Sequence, residues 1–119
     1  MSGNLRTVAE VEGELRLMER FLDRLKKSFQ LEKEAALLEN RKALWLFRER
    51  SRTHYQPSTL KLLCDLKLLR YRMIKVERIP SGIFLRLEAI EKAMKKAQAH
   101  FAGTPNRLLR SAGENTGDD

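Results

Sequence analysis

The sequence predicts an all-α protein: a long N-terminal helix with a coiled-coil seam, two shorter helices completing a helical hairpin or small bundle, and a disordered C-terminal tail. Two observations carry this. Of 119 residues, 34% are charged and 42% hydrophobic, with only 6 Gly and 3 Pro, a composition of long solvated helices rather than of a loop-rich fold. Apolar residues also recur at spacings of three and four in separate stretches, divided by a few Pro- and Gly-containing breaks. The length suits one domain, expected over residues 1–103, with 104–119 as a flexible polar tail.

Thr7 and Glu10 have the spacing of a capping box, and Glu10, Glu12 and Glu14 place negative charge near the positive end of a helix dipole. Val8, Leu15, Leu22 and Phe29 interleave with Val11, Met18 and Leu25 in an unbroken heptad pattern, the seam a partner helix would use. Beyond Phe29 the repeat slips: Glu32 and Glu39 occupy one of its positions, and Leu31, Leu37, Leu38, Leu44 and Trp45 shift the apolar surface. A single helix from Thr7 to Arg52 would be about 70 Å long at 1.5 Å per residue, too long to be covered by the rest of the chain. The expectation is therefore a break near Ser28 to Glu32, or pairing of the seam with a second copy or a partner coiled coil.

His54-Tyr55-Gln56-Pro57 reads as the first clear break, because proline disfavours a helical residue before it and Ser58 or Thr59 can cap the next helix. That helix carries Leu62, Leu66, Leu69, Met73 and Val76 on one face, with Lys67, Tyr71, Lys75 and Arg78 roughly opposite. Arg78 to Gly82 is the second break. A third helix runs from Ile83 through Leu87, Ile90, Met94 and Ala97 to Phe101, with Gly103 and Pro105 expected to end it. Leu66, Leu69, Leu87 and Ile90 should meet if the chain reverses at Pro80 to Gly82. A β-hairpin over Met73 to Ile79 and Ile83 to Leu87 is the competing local reading. In the tail, Leu108 and Leu109 offer weak docking points.

The formal net charge of +8 falls between Arg41 and Arg78, where eleven Lys or Arg face only Glu49, Asp65 and Glu77. Candidate nucleic-acid contacts are Arg41, Lys42, Arg48, Arg50, Arg52, Lys67, Arg70, Arg72, Lys75 and Arg78. Arg41, Trp45, Arg48 and Arg52 step by four, three and four, so they share one helical face, guanidinium groups suiting phosphates and the indole suiting an exposed base. For Trp45 itself the leading reading is a buried core residue with Leu44 and Phe47, with base stacking as the alternative. If the first two helices fold back at Tyr55-Gln56-Pro57, the basic patches merge.

No metal, nucleotide or catalytic constellation is legible. His54 and His100 have no Cys or His at a ligand spacing, and acid pairs such as Glu10 with Glu14 and Glu88 with Glu91 read as solvated faces. Cys64 lies in an apolar run and reads as a small core residue. No apolar run is long enough to span a bilayer, and Met1 to Glu10 lacks the order of a signal peptide. The expectation is a non-enzymatic protein, intracellular in the cytoplasm or with the nucleoid or nucleus, without cofactor, metal or small-molecule substrate. It would bind nucleic acid as a small accessory factor and assemble through Val8, Val11, Leu15, Met18, Leu22, Leu25 and Phe29. The alternative is a coiled-coil adaptor, chaperone or scaffold subunit whose basic patch meets an acidic protein. Convergence of the basic residues on one surface would favour the first, and scatter the second.

Overall fold

Thr7 opens α1 (Val8–Leu37) with the predicted capping box: its hydroxyl accepts from the Glu10 amide at 3.2 Å and its own amide donates to Glu10 Oε1 at 3.0 Å. The computed structural model describes residue 5 and residues 7–113. α1 passes unbroken through Phe29 and stops at Leu37, not at Ser28 to Glu32 as the heptad slip suggested. The turn is made at Leu38 to Asn40, where Asn40 takes an extended backbone and its side-chain oxygen accepts from the Ala43 amide at 2.9 Å. Asn is a strong N-cap, and α2 (Arg41–Arg50) starts there.

The expected break at Pro57 is absent. α2 runs through one π-helical turn, Ser51–Tyr55, directly into α3 (Gln56–Arg72). Proline cannot donate to the ladder and its ring collides with a carbonyl one turn back, and the wider turn makes room for the ring. The Gln56 amide accordingly donates five residues back, to the Ser51 carbonyl. The extra residue also re-aims the apolar stripe: buried positions step 44, 47, 51, 55, 59, 62, with three fours in succession across the bulge.

After α3 the chain turns over residues 73–80, with Met73 and Val76 buried as plugs and Arg78 in the left-handed region at φ 58°. No strand forms among the described residues, so the β-hairpin reading is overturned. α4 (Ser81–Ser111) then runs eight residues past Gly103, its expected end, with Pro105 inside it. Thr104, Pro105 and Leu109 are buried, so the part of the expected tail from Thr104 to Ser111 belongs to the bundle. Residues 114–119 lie outside the described residues.

Three arms result: α1, the continuous rod of α2 and α3, and α4, in a body of 62 × 22 × 18 Å. Glu14 with Arg72 and Glu32 with Arg50 show that the first two arms run antiparallel. Glu19 with Arg86 and Phe29 with Phe101 show that α1 and α4 run parallel. The arms have matched length, so the seam of α1 is covered along its whole course by its own chain. Leu66, Leu69, Leu87 and Ile90 are buried between α3 and α4 as expected.

Near the bulge the three arms are locked by an aromatic cluster. Phe29 lies 4.8 Å from Phe47, 5.3 Å from Tyr55 and 4.6 Å from Phe101, centroid to centroid. Pro105 has no amide hydrogen for the Phe101 carbonyl four residues back, and Ser51, fully buried, donates its hydroxyl to that oxygen at 2.5 Å. One buried serine thus supplies the bond that proline removes. Ser51→Ala should cost about 1–3 kcal/mol, the penalty of a buried unpaired acceptor. In a Pro105→Ala background, where the residue-105 amide can reach Phe101, the cost should fall below about half of that in a double-mutant cycle measured by denaturant unfolding. An unchanged cost would break the link between the two residues.

Candidate nucleic-acid interface

The ten basic residues singled out from the sequence do not form one patch. Arg50 pairs with Glu32 on α1 at 3.4 Å, Arg70 with Glu91 on α4 at 2.9 Å, and Arg72, whose side chain is 16% exposed, with Glu14 at 3.8 Å. Arg52 is held by Glu49 at 3.2 Å within its own arm. Arg50 and Arg72 turn toward α1 and Arg70 toward α4, opposite flanks of the middle arm, and all four are partly neutralised. Surface pairs of this kind add little stability, but they remove charge a polyanion would meet. Glu91, shared by Lys95 and Arg70, has its carboxyl held below the usual range, chiefly through the hydrogen bond from Lys95.

Five residues remain without an ion pair among the described residues: Arg41 and Lys42 at one end of the middle arm, Lys67, Lys75 and Arg78 at the other. Arg41 and Lys67 are about 40 Å apart along the arm at 1.5 Å per residue. The predicted merging at a Tyr55-Gln56-Pro57 turn fails because that segment is continuous helix and the reversal lies at Leu38 to Asn40.

What survives is the N-terminal part of the stripe. Arg41, Lys42, Trp45 and Arg48 line a groove of about 490 Å³ with Leu109 from α4. Trp45 is 47% exposed, so it is no core residue; Leu44 and Phe47 take that role from the opposite face of α2. Arg48 reaches Glu49 only at 4.0 Å, its side chain remaining partly open. Flat ring, three cations and a concave wall sit together because α2 is short, begins at Asn40, and lies against the part of α4 that was expected to be tail.

The seam residues are where the sequence and the structure part most sharply. Val11, Leu15, Met18, Leu22, Leu25 and Phe29 are buried in the intramolecular core and Val8 packs on it half-buried, so none is open to a second copy or a partner coiled coil. Cys64, read as core, is exposed on the outer face of α3 with a free thiol.

A second cationic cluster was missed. Lys26 and Lys96 line a groove between α1 and α4 with Ala93, Ala97 and His100. His100 has its basicity lowered first by burial, then by Lys33, Arg107 and Lys26. In the sequence these residues lie up to 81 positions apart. Their only local signal is that Lys26 and Lys33, and Lys96, His100 and Arg107, each fall at helical spacing on one face. Elsewhere, burial and then the Tyr55 hydrogen bond to Glu32 raise the Tyr55 phenol. Among the described residues no group of three His, Cys, Asp or Glu is placed to hold a metal, and no helix is long and apolar enough to cross a membrane. No known family model, curated protein or solved structure matches this chain, so its surface is read from its own residues.

Proposed function

We propose that the protein is a non-enzymatic nucleic-acid-binding accessory factor that takes an unpaired strand in the Trp45 groove. The observation supporting this is a half-exposed indole with Arg41, Lys42 and Arg48 around it. An indole stacks on a base only where the base is unstacked from its neighbours, and the cations then track the phosphates on either side. Phosphate contacts carry no base information, so weak sequence preference is expected.

Trp45 is the single tryptophan of the chain, so its fluorescence reports on the groove directly. Single-stranded DNA or RNA should quench it, and affinity should fall with salt at a slope of about 2, three contacts at about 0.7 each on single strands. Trp45→Ala should weaken binding about tenfold or more, since a stacked base is worth about 1–3 kcal/mol. Gln at Arg41, Lys42 and Arg48 together should flatten the slope, whereas Gln at Lys67 and Lys75 should leave it unchanged. Absence of binding at about 50 mM salt, where the counterion effect is strongest, would sink the reading, as would an unaltered slope in the triple variant.

The adaptor reading has two observations of its own: the ten basic residues scatter along the middle arm instead of converging, which favours a protein partner, and an apolar groove is open. Leu17, Phe21 and Leu68 are exposed along a groove between α1 and α3, beside the Glu14–Arg72 pair. A protein partner would use that groove rather than the buried heptad seam, and this becomes the leading function if oligonucleotides leave Trp45 unquenched.

A further inference from the structure

We propose that the groove between α1 and α4 around His100 is a binding site for a phosphate-bearing anion, separate from the Trp45 groove. Lys26 lines it from α1 and Lys96 from α4, and Lys33 and Arg107 stand near enough to act on His100 electrostatically. None of these four takes part in an ion pair among the described residues, whereas Arg50, Arg52, Arg70, Arg72 and Arg86 each have a carboxylate. Uncompensated like charges around one concavity repel each other, and an anion bound between them removes that cost.

The shape suits a compact ligand. The groove encloses about 420 Å³ over a floor of Ala93 and Ala97, within the range of small-molecule sites. Its cations stand on both walls, so a tetrahedral anion with several acceptor oxygens can be gripped from two sides, which a single carboxylate cannot match.

Three features position the cationic wall of α4. The Thr104 hydroxyl lies 3.0 Å from His100 Nδ1 and accepts from Arg107 Nη2 at 2.9 Å, tying imidazole and guanidinium together. The His100 ring also packs edge-on against Phe29, 5.2 Å between centroids. Gly103 makes room for the arginine: a Cβ there would lie 2.9 Å from Arg107 Nη1. That atom is the flexible end of the side chain, so alanine at 103, about 1 kcal/mol better in a helix, would displace the guanidinium rather than the backbone. Partial burial and then Lys33, Arg107 and Lys26 lower the basicity of His100, and an anion in the groove reverses the electrostatic part of that balance.

The test monitors the imidazole protons of the intact chain by NMR during titration with inorganic pyrophosphate in physiological salt. His100 should shift with saturation below about 1 mM, a modest affinity, while His54 should not move. Lys26→Gln with Lys96→Gln should weaken the affinity on the order of tenfold through lost Coulomb attraction. Gly103→Ala should weaken it too while leaving or raising the melting temperature, an outcome that a purely structural role for Gly103 does not produce. A single-stranded oligonucleotide that displaces pyrophosphate from His100 identifies the phosphate as that of nucleic acid. One that quenches Trp45 and leaves His100 unmoved identifies a free phosphorylated compound. The proposal does not rest on the Trp45 reading, since the two grooves report through different residues. It is overturned if pyrophosphate gives no saturable shift at His100, shifts both histidines alike, or binds the Lys26/Lys96 variant with unchanged affinity.

Discussion

Glutamate at both Leu15 and Leu22 is expected to unfold the chain outright, rather than merely dissociate an assembly. Both side chains are at most 5% exposed and face the other two arms. Removing a buried leucine costs about 2–5 kcal/mol from lost transfer energy and the cavity left behind. Replacing it by a carboxylate adds the cost of burying an unpaired charge or of protonating it. The two sites are about 10 Å apart at 1.5 Å per residue, far enough for their effects to add, and the sum reaches the whole stability of a typical domain, about 5–15 kcal/mol. Circular dichroism of the double variant should show loss of helix, and the wild-type melting temperature should be independent of protein concentration, because the seam is covered by its own chain. A double variant that stays helical and merely runs smaller on size exclusion would return the seam to an intermolecular role.

Phe29→Ala should be among the most costly single truncations, at about 3–5 kcal/mol. Its ring is fully buried and meets Phe47, Tyr55, Phe101 and His100, that is, every arm of the bundle. Tilted and edge-on contacts at these distances add to the area the ring buries. Loss of the ring also removes the packing that holds α4 against the bulge, so amide exchange should accelerate around residues 101–109 before it does at Leu66 and Leu87. A cost below about 1 kcal/mol, or acceleration spread evenly along α4, would show that the cluster is not the junction of the arms.

The parts of the fold readable in advance were those in which neighbouring residues settle the matter. Thr7 and Glu10 cap α1 through their own side chains, and the stripes at Val11 to Phe29, Leu62 to Met73 and Ile83 to Phe101 mark buried faces by period alone. Asn40 was an equally local signal, with a side chain able to cap Ala43, and Leu37 and Leu38 beside it masked the turn by extending the apparent apolar run. Pro57 and Pro105 misled for a different reason. Each as a rule ends a helix, but here the ring of one is accommodated by a π-helical turn and the hydrogen bond lost at the other is supplied by Ser51 from another arm.

The candidate sites divide along the same line. Local spacing placed Arg41, Trp45 and Arg48 on one face, and they remain together in the groove. Whether Arg50, Arg70 and Arg72 were free or paired depended on Glu32, Glu91 and Glu14, carboxylates in other arms, and so on how the arms aligned. By itself the sequence determined helix, charge and the buried stripe of each arm, because propensity, capping and period act within a few residues. Only the tertiary structure decided what covered the heptad seam, which prolines were tolerated and which cations stayed unneutralised, because each depends on a partner brought close in space by the alignment of three matched arms.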